Sequence, residues 1–174
     1  HAGGRKAPPR RAARARPLHN WLHGGASWKA SKILVPTDFS THASQALHFA
    51  VDMSRRYEAS IDLIHVFETF TYVLPDGYVF MGAENFDLLM EQFRKELEAA
   101  RQSALELGAK KVETTLLQGN PSQEIVRYAK ERNSDLIIMG THGRKGINHM
   151  LIGSVAERVV RTAPCPVLTM RSKA

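Results

Sequence analysis

Residues 140–154, GTHGRKGINHMLIGS, set glycines at 140, 143 and 153 in the spacing G-x2-G-x9-G-S. Glycine has no Cβ, so it tolerates positive φ and lets a ligand come close to the backbone. Gly153 and Ser154 lead into VAERVVRT, which reads as a helix. The first N–H groups of a helix have no intrahelical acceptor, and its dipole favours an anion in front of them. Arg144 and Lys145 add positive charge, and the Ser154 hydroxyl adds a donor. Phosphate binding is the chemistry that this combination suits. The spacing is neither the Walker G-x-x-x-x-G-K-[ST] nor the dinucleotide G-x-G-x-x-G. The competing reading is a surface loop. Gly140 and Gly143 then only turn the chain, Ser154 only caps the helix, and Arg144 and Lys145 are solvated. The residues by themselves leave both readings open.

Other reactive residue types form no second centre. Asp38 follows an apolar run, where its carboxylate either meets a ligand or closes an Asx turn before the next helix. His142 and His149 have no Cys or carboxylate cluster beside them, so a metal is not expected. His42, His48 and His65 read as structural or surface residues. No paired-histidine H-x-G-H signature and no Ser-His-Asp arrangement occurs, so no catalytic residue is assigned. Cys165 lies between two prolines ahead of an apolar run and reads as a buried structural thiol.

Alternating strands and helices would have to hold these residues. KILVP (32–36) and SIDLIHVF (60–67) are apolar runs of strand length. VETTLLQG (112–119), DLIIMG (135–140) and PVLTMR (166–171) follow the same reading. The first helix has apolar residues at Ala43, Ala46, Leu47, Ala50 and Val51, with Ser40 or Thr41 as its cap. A long amphipathic helix spans 85–107 and ends on Gly108. Pro121 marks the first turn of another helix, and 155–163 is the last. Residues 69–84 show no clean period and read as an irregular insertion. The pattern predicts an α/β fold: a five-stranded, mostly parallel sheet with helices on both faces, Rossmann-like. In such folds ligands bind beyond the C-terminal ends of the strands, where the strand order reverses. Weight therefore falls on PTDFS, VFE, QGNPS and GTHG.

The 174 residues suit one domain. The formal charge of +7 first suggests a nucleic acid or an anionic membrane. Its location argues otherwise. Residues 1–30 hold seven Lys and Arg and no acidic residue, which leaves 17 basic against 17 acidic residues in 31–174. We expect 1–30 to be a disordered basic extension, and 31–174 to be the domain. The extension starts with His and lacks an apolar signal core, which fits a cloning-derived or misassigned start better than a leader. Nucleic-acid binding is not expected of the domain. No run of 18 apolar residues occurs, so no membrane span is expected. One cysteine cannot form an intrachain disulfide, which fits a reducing compartment and a cytoplasmic location.

The chain resembles the universal stress protein family in its nucleotide-binding branch. The resemblance runs from Lys32 to Arg171 and rests on the intact glycine loop and its flanks. These are ILVPTDFS, DLIIMGTHG and GSVAERVVRTAPCPVLTMR. It implies an adenine-nucleotide-alpha-hydrolase-like fold that binds ATP, or AMP or ADP in its place, with Mg2+ held by the phosphates. It implies that Asp38 contacts the nucleoside, with Pro36 and Thr37 shaping the pocket. Val66 would contact adenine, and Met139 would pack near ribose or base. Gly140 and Gly143 would present backbone N–H groups to the phosphates, with Gly153, Ser154 and Val155 closing around them. It also implies a stress-response or regulatory homodimer paired through residues 166–171, acting on an unidentified protein partner. Alternatives are a slow ATPase or self-phosphorylating enzyme of the same fold, and a nucleotide-free interaction module. The intact loop argues against the last.

Overall fold

A computed structural model describes residues 29–68, 72–74, 77–79, 83–141 and 152–171. The basic extension up to residue 28 lies outside the described residues, as do His142 to Leu151 of the glycine loop. Strand β1 (Lys32–Pro36) leads into helix α1 (Thr41–Tyr57), and β2 (Ser60–Phe67) follows. Ser40 caps α1, its Oγ accepting from the Ala43 amide at 3.3 Å. After the insertion come α2 (Ala83–Glu106), β5 (Val112–Gln118) and α3 (Pro121–Arg132). The chain then adds β6 (Leu136–Gly140), α4 (Ser154–Thr162) and β7 (Val167–Met170).

These strands form one five-stranded sheet in the order β5-β2-β1-β6-β7, every pairing parallel. The central strands are apolar because both of their faces are covered. Along β1, Ile33 and Val35 join one core cluster and Leu34 joins the other. The first cluster includes Ala46, Leu47, Ala50 and Val51 of α1 and Leu97 and Ala104 of α2. The second includes Ile125, Tyr128 and Ala129 of α3 and Ala156 and Val159 of α4. The helices change face where the strand order reverses, between β1 and β6. Parallel crossovers of one hand require that change.

The insertion differs from its sequence reading. It contains an antiparallel hairpin of β3 (Tyr72–Leu74) and β4 (Gly77–Val79), which form their own small sheet with Tyr72 opposite Val79. Three-residue strands are too short to display a period of two, so the aromatic and β-branched residues there looked irregular. Helix α2 also begins two residues before Asn85, inside the segment assigned to the insertion. Its end matches: Gly108 adopts φ +101, and its amide donates to Leu105 O at 2.9 Å. Among the described residues no helix is long and apolar enough to cross a membrane.

Candidate functional site

The C-terminal edge of the sheet gathers the ends of β1 and β6, the return of the glycine loop and the start of α4. At β1, the Thr37 amide donates to Ile64 O at 2.8 Å and extends the ladder past Pro36, which sits opposite Ile64. The chain then folds tightly over the edge. Thr37 Oγ1 accepts from the Phe39 amide at 3.0 Å. Asp38 Oδ1 accepts from the Ser40 amide at 3.1 Å. Phe39 takes φ +63, a left-handed conformation that a bulky residue adopts only when its surroundings impose it. The Asx turn weighed for Asp38 is therefore formed. It leaves the carboxylate half-buried at the rim.

Beneath that turn lies His65, buried on β2. Its Nδ1 is 2.7 Å from Thr37 O. A carbonyl only accepts, so Nδ1 carries the proton. The structural role expected of His65 holds, but its place under the site was not foreseen.

At β6, Gly140 lies against the first turn of α1. A Cβ there would sit 3.0 Å from His42 Cβ and 3.1 Å from the His42 carbonyl carbon. Glycine thus lets the helix close on the strand end, next to the Thr37–Ser40 turn. Thr141 was not singled out from the sequence, although it stands between two glycines that were. It is buried, and its amide and Oγ1 both donate to Met170 O, at 2.9 and 3.2 Å. Its own carbonyl accepts from the Gly153 amide at 2.7 Å. That bond joins the two ends of the glycine loop at the mouth of the sheet.

Gly153, not Ser154, occupies the N-cap of α4, and among the described residues no side chain caps the helix. Ser154 is the exposed first helical residue. The reading of Ser154 as a simple cap is therefore corrected. A serine one position later cannot reach back to the amides that an N-cap side chain serves. Among the described residues no capping side chain serves the first-turn amides of α4. Val66 and Val155 are half-buried and pack against the second core cluster, of which Met139 is a buried member. These three share the α3–α4 face of the sheet. Pro36, Thr37, Asp38, Gly140, Gly153, Ser154 and Val155 thus gather at one edge, with Val66 and Met139 on that face beneath it. Gly143, Arg144, Lys145, His142 and His149 lie outside the described residues.

Two further strand ends border the site. Asn120 Nδ2 donates to Glu68 Oε1 at 3.2 Å, and the Gly119 amide donates to Phe67 O at 3.0 Å. Among the described residues no group of three or more His, Cys, Asp or Glu could hold a metal ion. Cys165 is half-buried at the other end of the sheet. Burial, with a smaller push from Asp135, raises its thiol to about 11. That is the behaviour of a structural thiol and not of a nucleophile.

The sequence model of the universal stress protein family matches residues 29–171. A universal stress protein of Methanocaldococcus jannaschii is 37% identical over 142 residues, covering 80% of this chain and 81% of that protein. Among solved structures, the universal stress protein UspA from Lactobacillus plantarum aligns with a TM-score of 0.71 at 28% identity. The match covers 82% of this chain and 99% of that one. A universal stress protein from Archaeoglobus fulgidus, solved in complex with dAMP, aligns with a TM-score of 0.58 at 22% identity. It covers 82% of this chain and 98% of the other. At that identity the likeness shows the shared fold.

Proposed function

The chain belongs to the universal stress protein family, and from that premise we propose that it binds an adenine nucleotide at the C-terminal edge of the sheet. The proposed ligand is ATP, with AMP and ADP as alternatives. The reading rests first on one observation. The start of α4 at Gly153, which has no side-chain cap among the described residues, is tied by its 2.7 Å bond to Thr141, beside Gly140 and the Thr37–Ser40 turn, at the point where strand order reverses. Helix N-termini at such points suit phosphate. The dAMP complex of the Archaeoglobus fulgidus protein is consistent with the same ligand class.

In this reading the amides of Ser154 and Val155 and the backbone at Gly140 and Gly143 receive the phosphates. The Asp38 carboxylate accepts from a hydroxyl of the nucleoside, in a turn shaped by Pro36 and Thr37. Val66 and Met139 supply an apolar floor. Any Mg2+ takes its ligands mainly from the phosphates, because the described residues offer no carboxylate cluster. The protein then works as a nucleotide-dependent regulator in the cytoplasm rather than by turnover. We further propose a homodimer paired through residues 166–171. Strand β7 is an edge of the sheet, and an open edge invites pairing.

The test is calorimetric titration of nucleotide-stripped protein with ATP, ADP and AMP, beside Gly153→Val. We expect saturable heat from the unmodified chain and its loss in the variant at an unchanged melting temperature. No heat from the unmodified protein, and no nucleotide released on denaturing it, would reject the reading. Sedimentation of the full chain tests the dimer.

A further inference from the structure

We infer that His65 is a positioning residue for the nucleotide site, holding the Thr37–Ser40 turn in its ligand-ready shape; this rests on the nucleotide-binding reading above. The residues that precede His65 on that face of β2, Ile61 and Leu63, are apolar and fully buried. At the next inward position the chain places an imidazole at 7% exposure. A buried polar ring is tolerated only when its N–H is satisfied. Here the satisfying group is Thr37 O, 2.7 Å from Nδ1. Thr37 lies beyond the last register pair of β1, Pro36 with Ile64. Its carbonyl direction is thus set by a side chain at the point where the strand becomes the turn.

A second observation concerns the same ring. The Phe39 and Phe93 rings both lie 4.5 Å from the His65 ring, centroid to centroid, tilted 37° and 55°. Phe39 is the residue held at φ +63. His65 therefore grips the turn twice, by a hydrogen bond to Thr37 and by packing on Phe39. Asp38 lies between those two points. Because Phe93 belongs to α2, the grip also ties the turn to the helix that follows the hairpin insertion. A shift of α2 would reach Asp38 through the His65 ring.

The experiment compares the full chain with His65→Phe, which keeps a ring between Phe39 and Phe93 but removes the donor. His65→Asn keeps an N–H near the Nδ1 position and removes the ring. Three readouts are taken: melting temperature, ATP affinity by calorimetry, and hydrogen exchange of the Phe39 and Ser40 amides. In His65→Phe, ATP should bind about tenfold more weakly, the scale of one lost hydrogen bond. The two amides should exchange faster, with little change in melting. His65→Asn should recover most of the affinity. Unchanged affinity and exchange in His65→Phe would overturn the inference. So would equal losses in both variants that merely track melting temperature. If His65→Phe does not fold, His65→Asn decides alone: affinity near that of the parent supports the hydrogen bond as the positioning contact, and a tenfold loss rejects it. Failure of the parent protein to bind any adenine nucleotide would reject the binding reading, while the exchange rates would still report whether His65 holds the turn.

Discussion

At the scale of single residues, Gly140 and Cys165 make opposite demands on their surroundings. Gly140 has no room. An added Cβ would stand 3.1 Å from a His42 backbone carbon, which cannot rotate aside as a side chain can. We predict that Gly140→Ala destabilises the fold by about 1–3 kcal/mol, the usual range for overpacking. The measurement is the urea midpoint, which should fall with an unchanged m-value. Cys165 is instead shielded. Burial, then Asp135, raise its thiol from 9.0 to about 11. The folded state therefore holds the proton more tightly than the unfolded state. The resulting stability is present below about pH 9 and is lost as pH rises toward 11. The unmodified chain should lose stability faster than Cys165→Ala between those values. A disulfide-exchange reagent at pH 8 should react slowly with the native thiol and quickly once urea unfolds the chain.

At the scale of elements, α3 shows how local chemistry fixes a boundary beside the site. Asn120 is its N-cap, with Oδ1 accepting from the Gln123 amide at 3.3 Å and from Ser122 Oγ at 2.8 Å. Pro121 fills the first helical position, where its missing N–H removes no bond. Asn133 closes the far end in the left-handed region. Asn120→Ala should destabilise the protein by about 1 kcal/mol, the typical value of a lost cap. Asn120→Asp should recover only part of that. It restores the cap but sets a second carboxylate against Glu68, which now accepts from Asn120 Nδ2. Thermal melts of the three proteins would rank them parent, Asp, Ala. The reverse order of the two variants would show that repulsion by Glu68 outweighs the cap.

At the scale of the whole molecule, one ionic group fastens the α3–α4 layer to the sheet. Asp62 is 2% exposed in β2. Arg132, at the end of α3, reaches its Oδ2 at 3.5 Å and Glu113 Oε2 on β5 at 2.6 Å. The carboxylates, Asp62 above all, raise the Arg132 guanidinium above its ordinary value. Arg132→Met keeps the aliphatic stem and removes the charge, leaving Asp62 buried without its cation. We predict a loss of about 1–3 kcal/mol. Adding Asp62→Asn should return part of it, which a double-mutant cycle of denaturation midpoints would measure. Independent effects of the two changes would show that the pair does not couple the layers.

Much of this molecule is written locally. Buried parallel strands are apolar runs, amphipathic helices repeat every three to four residues, and caps are chosen by residue type. The five main strands and four helices were therefore legible within a few residues. The G-x2-G-x9-G-S spacing marked the candidate site for the same reason, since backbone clearance and a helix start are local properties. The hairpin at 72–79 escaped because three-residue strands carry no readable period. The rest depended on contacts between residues distant in the chain, which no local pattern encodes. Only the tertiary structure decided that β1 and β6 lie side by side at the reversal of strand order. The same holds for Gly140, which must be glycine because α1 presses on it, and for Gly153, which caps α4 while bonding Thr141. It holds too for His65, whose ring lies under Thr37 because the pairing of β1 with β2 carries it there.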